Sequence, residues 1–181
     1  MSEIISLSSA LTEDLPLDTR AEIIKVCVAA HQEEDFKNLF SYVPSGGWHF
    51  LANRDKQLIS HAMVTTRWLQ PEGYPLLKTA YVDAVSTLPS YQGQGYGSAV
   101  MRQLAKDIDS DYVIACLETV RETFYERLGW QTWRGPLAGR GEQGLVPTPE
   151  QRGIMILRLS QTPNLDLDAM LTIECQTGRI W

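Results

Sequence analysis

The chain has 181 residues with 22 acidic against 16 basic side chains, a net charge of −6, so its length suits one domain or one domain with a tail. Apolar residues at 44% exclude intrinsic disorder, and no apolar run approaches the roughly 18 residues of a membrane-spanning helix. A pI near 5.1 excludes a basic, nonspecific nucleic-acid binder and is compatible with a cationic ligand. A strand is expected from Ile4 to Leu7. Asp18 then stands where it can cap a helix in which Ile23, Val26, Cys27 and Ala30 recur at i, i+3, i+4 and i+7. The segment His31–Gly47 mixes acids (Glu33, Glu34, Asp35) with Phe36, Phe40 and Tyr42, and reads as a short helix followed by a loop. Strands Trp48–Ala52, Leu58–Leu69 and Leu76–Thr87, joined by polar turns, form an antiparallel meander. Gly95 opens a helix to about Ile108. Val113–Leu117 reads as a buried strand, Thr119–Leu128 as a helix and Trp130–Trp133 as a strand. The glycine- and proline-rich Arg134–Gly153 is too long for a simple turn and reads as a functional loop, with Ile154–Leu159 as the last core strand. The pattern is mixed α/β. Residues 1–159 are expected to form the domain, and residues 160–181 a tail that docks back through Leu165, Leu167, Met170, Leu171, Ile173 and Trp181.

The informative stretch is Val82–Gly97, VDAVSTLPSYQGQGYG, where a strand runs into a glycine-rich turn and then a helix. Such a turn leaves backbone N–H groups aimed outward at a helix N-terminus, which suits phosphate oxygens. Glycine is required there for close approach or for backbone angles that a Cβ disfavours. Two better-known phosphate motifs are excluded. A P-loop needs a lysine after its last glycine, and the first lysine past Gly97 is Lys106; a dinucleotide fingerprint counted from Gly93 needs a third glycine where Ser98 stands.

These residues resemble the GNAT superfamily of acetyl-CoA-dependent N-acetyltransferases. The signature [QR]-x-x-G-x-[GA] is met by Gln92, Gly95 and Gly97, and its lead-in by Val85-Ser86-Thr87-Leu88-Pro89. A second element, Phe124-Tyr125-Glu126-Arg127-Leu128-Gly129-Trp130, follows at the family's distance. The resemblance covers Ile4 to Leu159. It implies an α/β fold with a mixed, mostly antiparallel central sheet whose strands splay, flanked by helices. It also implies acetyl-CoA as cosubstrate, held by Val85, Thr87, Gln92, Gly93, Gln94, Gly95, Tyr96 and Gly97. In such a site the Val85 N–H polarises the thioester carbonyl and Tyr125 protonates the leaving thiolate.

A closer resemblance is to the aminoglycoside 2′-N-acetyltransferases. It is carried by Tyr81–Val85, Tyr125 with Gly129-Trp130, Trp133-Arg134-Gly135-Pro136, Thr148-Pro149 and the terminal Ile180-Trp181. It implies transfer to the 2′-amino group of a small cationic antibiotic, hence antibiotic resistance, with Asp35, Asp83 and the Trp181 carboxylate binding the substrate, and a homodimer. Asp83 is a poor direct base, since a free aspartate has a pKa of ~3.9, and acts through water or by holding the ammonium. The chain departs from the family at Arg152 and Arg179, where the family carries acids. Two other readings stay open: a GNAT enzyme for another polyamine, metabolite or peptide amine, and an acyl-CoA-binding module without turnover.

No metal is expected. Cys27, Cys116 and Cys175 are scattered, and His31, His49 and His61, spread over a helix and two strands, read as surface or packing residues. Cys116 reads as a core residue and the Asp166/Asp168 pair as a solvated strand face. The N-terminus lacks a basic region ahead of an apolar stretch, so a cytoplasmic protein with no signal peptide, no membrane partner and no nucleic-acid partner is expected.

Overall fold

Alternating and continuous apolar runs give the chain ten strands among the described residues, and the i, i+3, i+4 stripes give it helices. The structure, a computed structural model, describes residues 5–181, so Ile4 of the first expected strand lies outside it. These residues divide into two compact units. The first runs to Thr65 and includes Val82–Asp107; the second comprises Thr66–Tyr81 and Ile108–Trp181.

The first unit holds β1 (Ile5–Leu11), α1 (Leu17–His31), α2 (Leu39–Tyr42), β2 (Trp48–Arg54), the start of β3 (Gln57–Pro71), the end of β4 (Leu77–Thr87) and α3 (Tyr96–Ile108) up to Asp107. β1 pairs antiparallel with β2, and β2 antiparallel with β3. Asp55 and Lys56 form the β2–β3 turn, both at positive φ (48° and 70°), the backbone twist that a two-residue hairpin demands. Ile23, Val26 and Cys27 of α1 bury their stripe against Leu39, Leu51, Leu58 and Met63. Full burial of a side chain such as Ile23 or Leu39 contributes about 1.5–3 kcal/mol.

The second unit holds the end of β3, the start of β4, β5 (Ile114–Glu118), α4 (Glu122–Glu126), β6 (Gln131–Thr132), β7 (Leu137–Gly141), β8 (Gly144–Pro147), β9 (Ile154–Arg158) and β10 (Leu171–Glu174). Its strand order is β6-β9-β5-β4-β3-β10-β7-β8. β4–β5 and β10–β7 are parallel; β5–β9, β6–β9, β7–β8 and β10–β3 are antiparallel. Leu69, Tyr81, Ile114, Ile156, Trp133, Leu165, Leu171 and Trp181 share its core. The expected fold class, a mixed and mostly antiparallel sheet with helices, is the one found.

Several expectations fail locally. Asp18 does not cap α1: the cap position is Pro16, and Asp18 sits in the first turn, where its charge favours the helix N-terminus. The helix expected from Thr119 starts only at Glu122, because Thr119 instead donates its N–H to Gly153 O and receives the Arg121 N–H on its hydroxyl. The expected functional loop Arg134–Gly153 contains a hairpin, β7–β8. Its Gly135 and Gly139 answer to crowding: a Cβ at Gly135 would stand 1.9 Å from Ala169 O, and one at Gly139 2.5 Å from Cys175 Sγ. Asp166 and Asp168 are not on a strand. Asp166 accepts the Asp168 N–H, and Asp168 makes a bidentate pair with Arg134 at 2.7 and 2.6 Å.

Candidate active site

β4 carries the first part of the site. Its parallel pairing with β5 is confined to Thr79–Tyr81, so the ladder stops before Val82. Ala84 has φ +51°, a left-handed conformation that is uncommon for a residue with a Cβ and kinks the strand. Asp83, Ala84 and Val85 are partly exposed around this kink, whereas Ser86 is buried. Past it, Leu88 N–H bonds Ile59 O at 2.9 Å and Ser60 Oγ donates to Ser86 O at 2.9 Å, which ties the strand end to β3.

Pro89–Tyr91 forms a 3-10 turn, and Gln92–Gly95 leads from it into α3. Gly93 and Gly95 take φ +74° and +89°, with nothing within 4 Å of a Cβ built on either. Backbone angle, not crowding by this chain, therefore dictates glycine here. The N–H groups of Gly93, Gln94 and Gly95 have no acceptor among the described residues, and they precede the positive end of a thirteen-residue helix. Two side-chain amides stiffen the turn: Gln92 Nε2 donates to Thr87 O and Gln94 Nε2 to Ser90 O, each at 3.0 Å. Arg54, at the end of β2, lies over the Tyr91 ring at 5.4 Å and donates to Tyr96 Oη at 3.4 Å. It brings a guanidinium to this turn, and nothing in its place beside the polar β2–β3 turn marks it in the sequence.

The histidines are the larger surprise. His49 and His61 are fully buried, which excludes the surface reading, and they bond each other, Nδ1 to Nε2, at 3.0 Å. Thr12 Oγ1 lies 3.0 Å from His49 Nε2, and Ala84 O lies 3.0 Å from His61 Nδ1. Burial and the Arg20 charge push the His49 pKa down to about 4. Burial and His49 push His61 down to about 3, against a pull upward from the Ala84 carbonyl. Burial pushes the Cys27 thiol up to about 11, and this thiol lies 3.7 Å from His61 Nδ1. His31, at the end of α1, stacks on Phe36 and approaches Ser86 Oγ at 3.0 Å. The one signal in the sequence was position: His49 stands within the apolar run Trp48–Ala52, and His61 directly before Ala62, Met63 and Val64.

Of the expected site residues, the first unit brings together Val85, Thr87 and Gln92–Gly97 on β4 and its following turn, with Asp83 on the same strand. Asp35 is exposed on the 3-10 turn Glu34–Asn38, beside the Phe36 that stacks on His31. Tyr125 and Trp181 belong to the second unit. Tyr125, on α4, is 7% exposed and packs edge-on against Phe124 and Trp130. Trp181 is buried with its indole N–H on Thr148 Oγ1 at 3.0 Å, and its terminal oxygen accepts Arg179 Nε at 2.6 Å. Arg67 and Arg179 both lie 5.0 Å from the Tyr81 ring centroid. Among the described residues no group of His, Cys, Asp and Glu could hold a metal, and no helix is long and apolar enough to cross a membrane.

Known proteins share this fold and much of this sequence pattern. Residues 15–133 match the family described as the acetyltransferase (GNAT) domain. The chain is 30% identical over 176 residues, 94% of its length and 89% of the relative's, to an aminoglycoside 2′-N-acetyltransferase of Mycolicibacterium fortuitum. Among solved structures it resembles a GNAT-family N-acetyltransferase of Escherichia coli (YhbS) in complex with CoA, with TM-score 0.68 and 13% identity over 99% of this chain and 96% of that one. It also resembles Eis1 of Mycobacterium abscessus, with TM-score 0.62 and 19% identity, over 75% of this chain but only 32% of that longer one.

Proposed function

The chain belongs to the GNAT family of N-acetyltransferases, and from that premise we propose that it transfers the acetyl group of acetyl-CoA to the 2′-amino group of an aminoglycoside. The relative matched over almost the whole chain supports this acceptor. The turn at Gln92–Gly97 supports acetyl-CoA: its positive-φ glycines, open space and outward N–H groups fit a pyrophosphate, with Arg54 beside them as a cation. Bound there, acetyl-CoA supplies an activated acyl group.

The chain's own groups then have these roles. The backbone of Val85 and Thr87 pairs with the pantetheine arm as an added strand, where β4 has left β5. The Val85 N–H stabilises negative charge on the thioester oxygen. Asp83 holds the substrate ammonium and passes one of its protons to water; the freed amine forms the N–C bond, the C–S bond breaks, and the second proton lost by the nitrogen returns through solvent to the Tyr125 oxygen. The Tyr125 hydroxyl gives its proton to the departing sulfur, a transfer that is uphill by about 2 kcal/mol between a free phenol and a free thiol. Asp35 and the terminal carboxylate of Trp181 bind further substrate cations. The assembly is a homodimer acting in the cytoplasm; a mass of about 20 kDa by light scattering at micromolar concentration, the 20.4 kDa of one chain, would remove that part.

One observation favours a second acceptor. The terminal oxygen of Trp181 is already held by Arg179, which weakens it as a partner for a densely cationic antibiotic and suits an amine of lower charge. Turnover of acetyl-CoA with 2′-amino aminoglycosides, their 2′-hydroxyl analogues and simple mono- and diamines separates the two. Acetylation confined to the 2′-amino compounds is expected. Acetylation of the simple amines alone favours the second reading, and no turnover with any amine overturns both.

A further inference from the structure

Five groups stand in a row in the first unit: Gly47 O, Thr12 Oγ1, His49, His61 and Ala84 O. The four contacts that join them are each 3.0 Å long. In the neutral state these side chains bring only three protons to four contacts, one hydroxyl and one N–H on each imidazole. Two orders keep a proton in both the Thr12–His49 and the His49–His61 contact. If the protons point toward Gly47, His61 turns a bare Nδ1 lone pair toward the Ala84 carbonyl. If they point toward Ala84, the Thr12 hydroxyl donates to His49 Nε2, His49 Nδ1–H to His61 Nε2, and His61 Nδ1–H to Ala84 O.

The second order is the less costly one. Gly47 O already accepts the Thr12 backbone N–H at 2.7 Å, and a hydroxyl can share its proton between two acceptors. A bare His61 Nδ1 would gain only the weak thiol donor of Cys27 at 3.7 Å, and its lone pair would still oppose that of the Ala84 carbonyl at 3.0 Å away from water, which is expensive.

The carbonyl at the end of this row belongs to the kinked residue. Left-handed alanine is strained and persists only where its surroundings over-determine it. Ala84 O receives His61 Nδ1 and Ser86 Oγ, each at 3.0 Å, while Ser60 Oγ holds Ser86 O at 2.9 Å. Val85 lies between these two held carbonyls. We propose that His61, set in its Nδ1–H form by His49 and Thr12, is a positioning residue that clamps the Ala84 kink and thereby aims the Val85 backbone N–H. What that N–H does rests on the acetyltransferase reading; the clamp itself does not.

The first arm of the test uses the ligand-free wild type, so it needs no variant to fold. Nitrogen-15 NMR of its histidines is expected to find His61 neutral at pH 7 and protonated on Nδ1; a proton on Nε2 instead overturns the clamp. In the second arm, His61→Phe removes the donor while keeping a ring, and His61→Asn places an amide N–H where Nδ1 stood. The Ala84 and Val85 amide resonances are expected to move in His61→Phe and to stay near wild type in His61→Asn. Unmoved resonances in a folded His61→Phe overturn the proposal. With an acetylated amine in hand, His61→Phe should lower kcat about tenfold or more with KM for acetyl-CoA within about threefold, and His61→Asn should recover most of that loss. Equal losses in both variants overturn the positioning role. If no amine is turned over while the NMR results are as expected, the acetyl-transfer reading fails and the clamp stands.

Discussion

In two glycine-rich stretches, one in each unit, two pairs of glycines answer to opposite constraints. Gly93 and Gly95 have positive φ and empty space where a Cβ would be. Gly135 and Gly153 would drive a Cβ to 1.9 Å from Ala169 O and 1.8 Å from Thr119 O. The first kind leaves room beside a bent backbone, as a ligand site requires; the second is filled by the chain itself. A glycine-rich stretch is therefore no sign of a site until it is known what stands beside it. The two units differ in the same sense inside. The second has a core mainly of Leu, Ile, Trp and Tyr and buries Arg67 paired with Glu174, whereas the first unit buries a hydrogen-bonded histidine pair and holds all three histidines of the chain.

The largest effect should come from filling the crowded kind. Gly153→Ala cannot keep its place against the Thr119 backbone, and Gly153 also has φ +70°. A loss of about 4 kcal/mol or more is expected, a drop of roughly 8–16 °C in Tm for a chain of this size. A melting curve within 3 °C of wild type would erase the distinction between the two kinds of glycine.

Filling the open kind should act on binding instead. Gly95→Val puts a branched residue at φ +89° but meets no neighbour, so stability should fall only by about 1–3 kcal/mol of backbone strain. Acetyl-CoA affinity should fall about 100-fold, since charge-assisted bonds to N–H groups contribute roughly 1.5–3 kcal/mol each. Calorimetry on the folded variant that finds unchanged affinity would move the pyrophosphate away from this turn.

The smallest effect separates the interiors by pH. His49 and His61 titrate near 4 and 3 when folded, against ~6.5 when unfolded. Between pH 6.5 and 4 the unfolded chain therefore binds protons that the folded one refuses. The neutral pair's contribution is complete above about pH 6.5 and is lost as pH falls through that window. The groups facing the pair are Thr12, Arg20, Cys27 and Phe40, and burial pushes the Cys27 thiol up to about 11, far above this window. Each histidine should cost about 1 kcal/mol between pH 7 and 5.5, so His61→Asn should lose that much less than wild type in denaturant titrations. Hydrogen exchange at the lower pH should loosen the first unit before the second. Equal loosening of both would show that the histidines do not set the acid response.

Most strands, α1 and α3 were legible because their signals are local. Periodicity marks which face of Ile23–Cys27 or Val100–Leu104 is buried, and a strand ending in Gln92-Gly93-Gln94-Gly95 announces its turn. β10 was missed because Leu171–Glu174 is short and takes its partners from far away, Leu69–Pro71 on one side and Leu137–Arg140 on the other. The same limit applies to the candidate site. Gln92, Gly95, Gly97 and Tyr125 stand out as a spaced motif, whereas Arg54, Thr12, His49 and His61 carry no spacing that marks them.

The sequence alone determined the α/β class, the glycine turn at the head of α3 and the acetyltransferase family, since each depends on residues close together along the chain. Only the tertiary structure decided that His49 meets His61, that Thr12 and Ala84 close the row at either end, and that Arg179 holds the end of the chain. The physical reason for the histidine row is strand register. A one-residue slip turns every side chain to the opposite face, so pairings 12 and 37 positions apart exist only once β2, β3 and their neighbours have locked together.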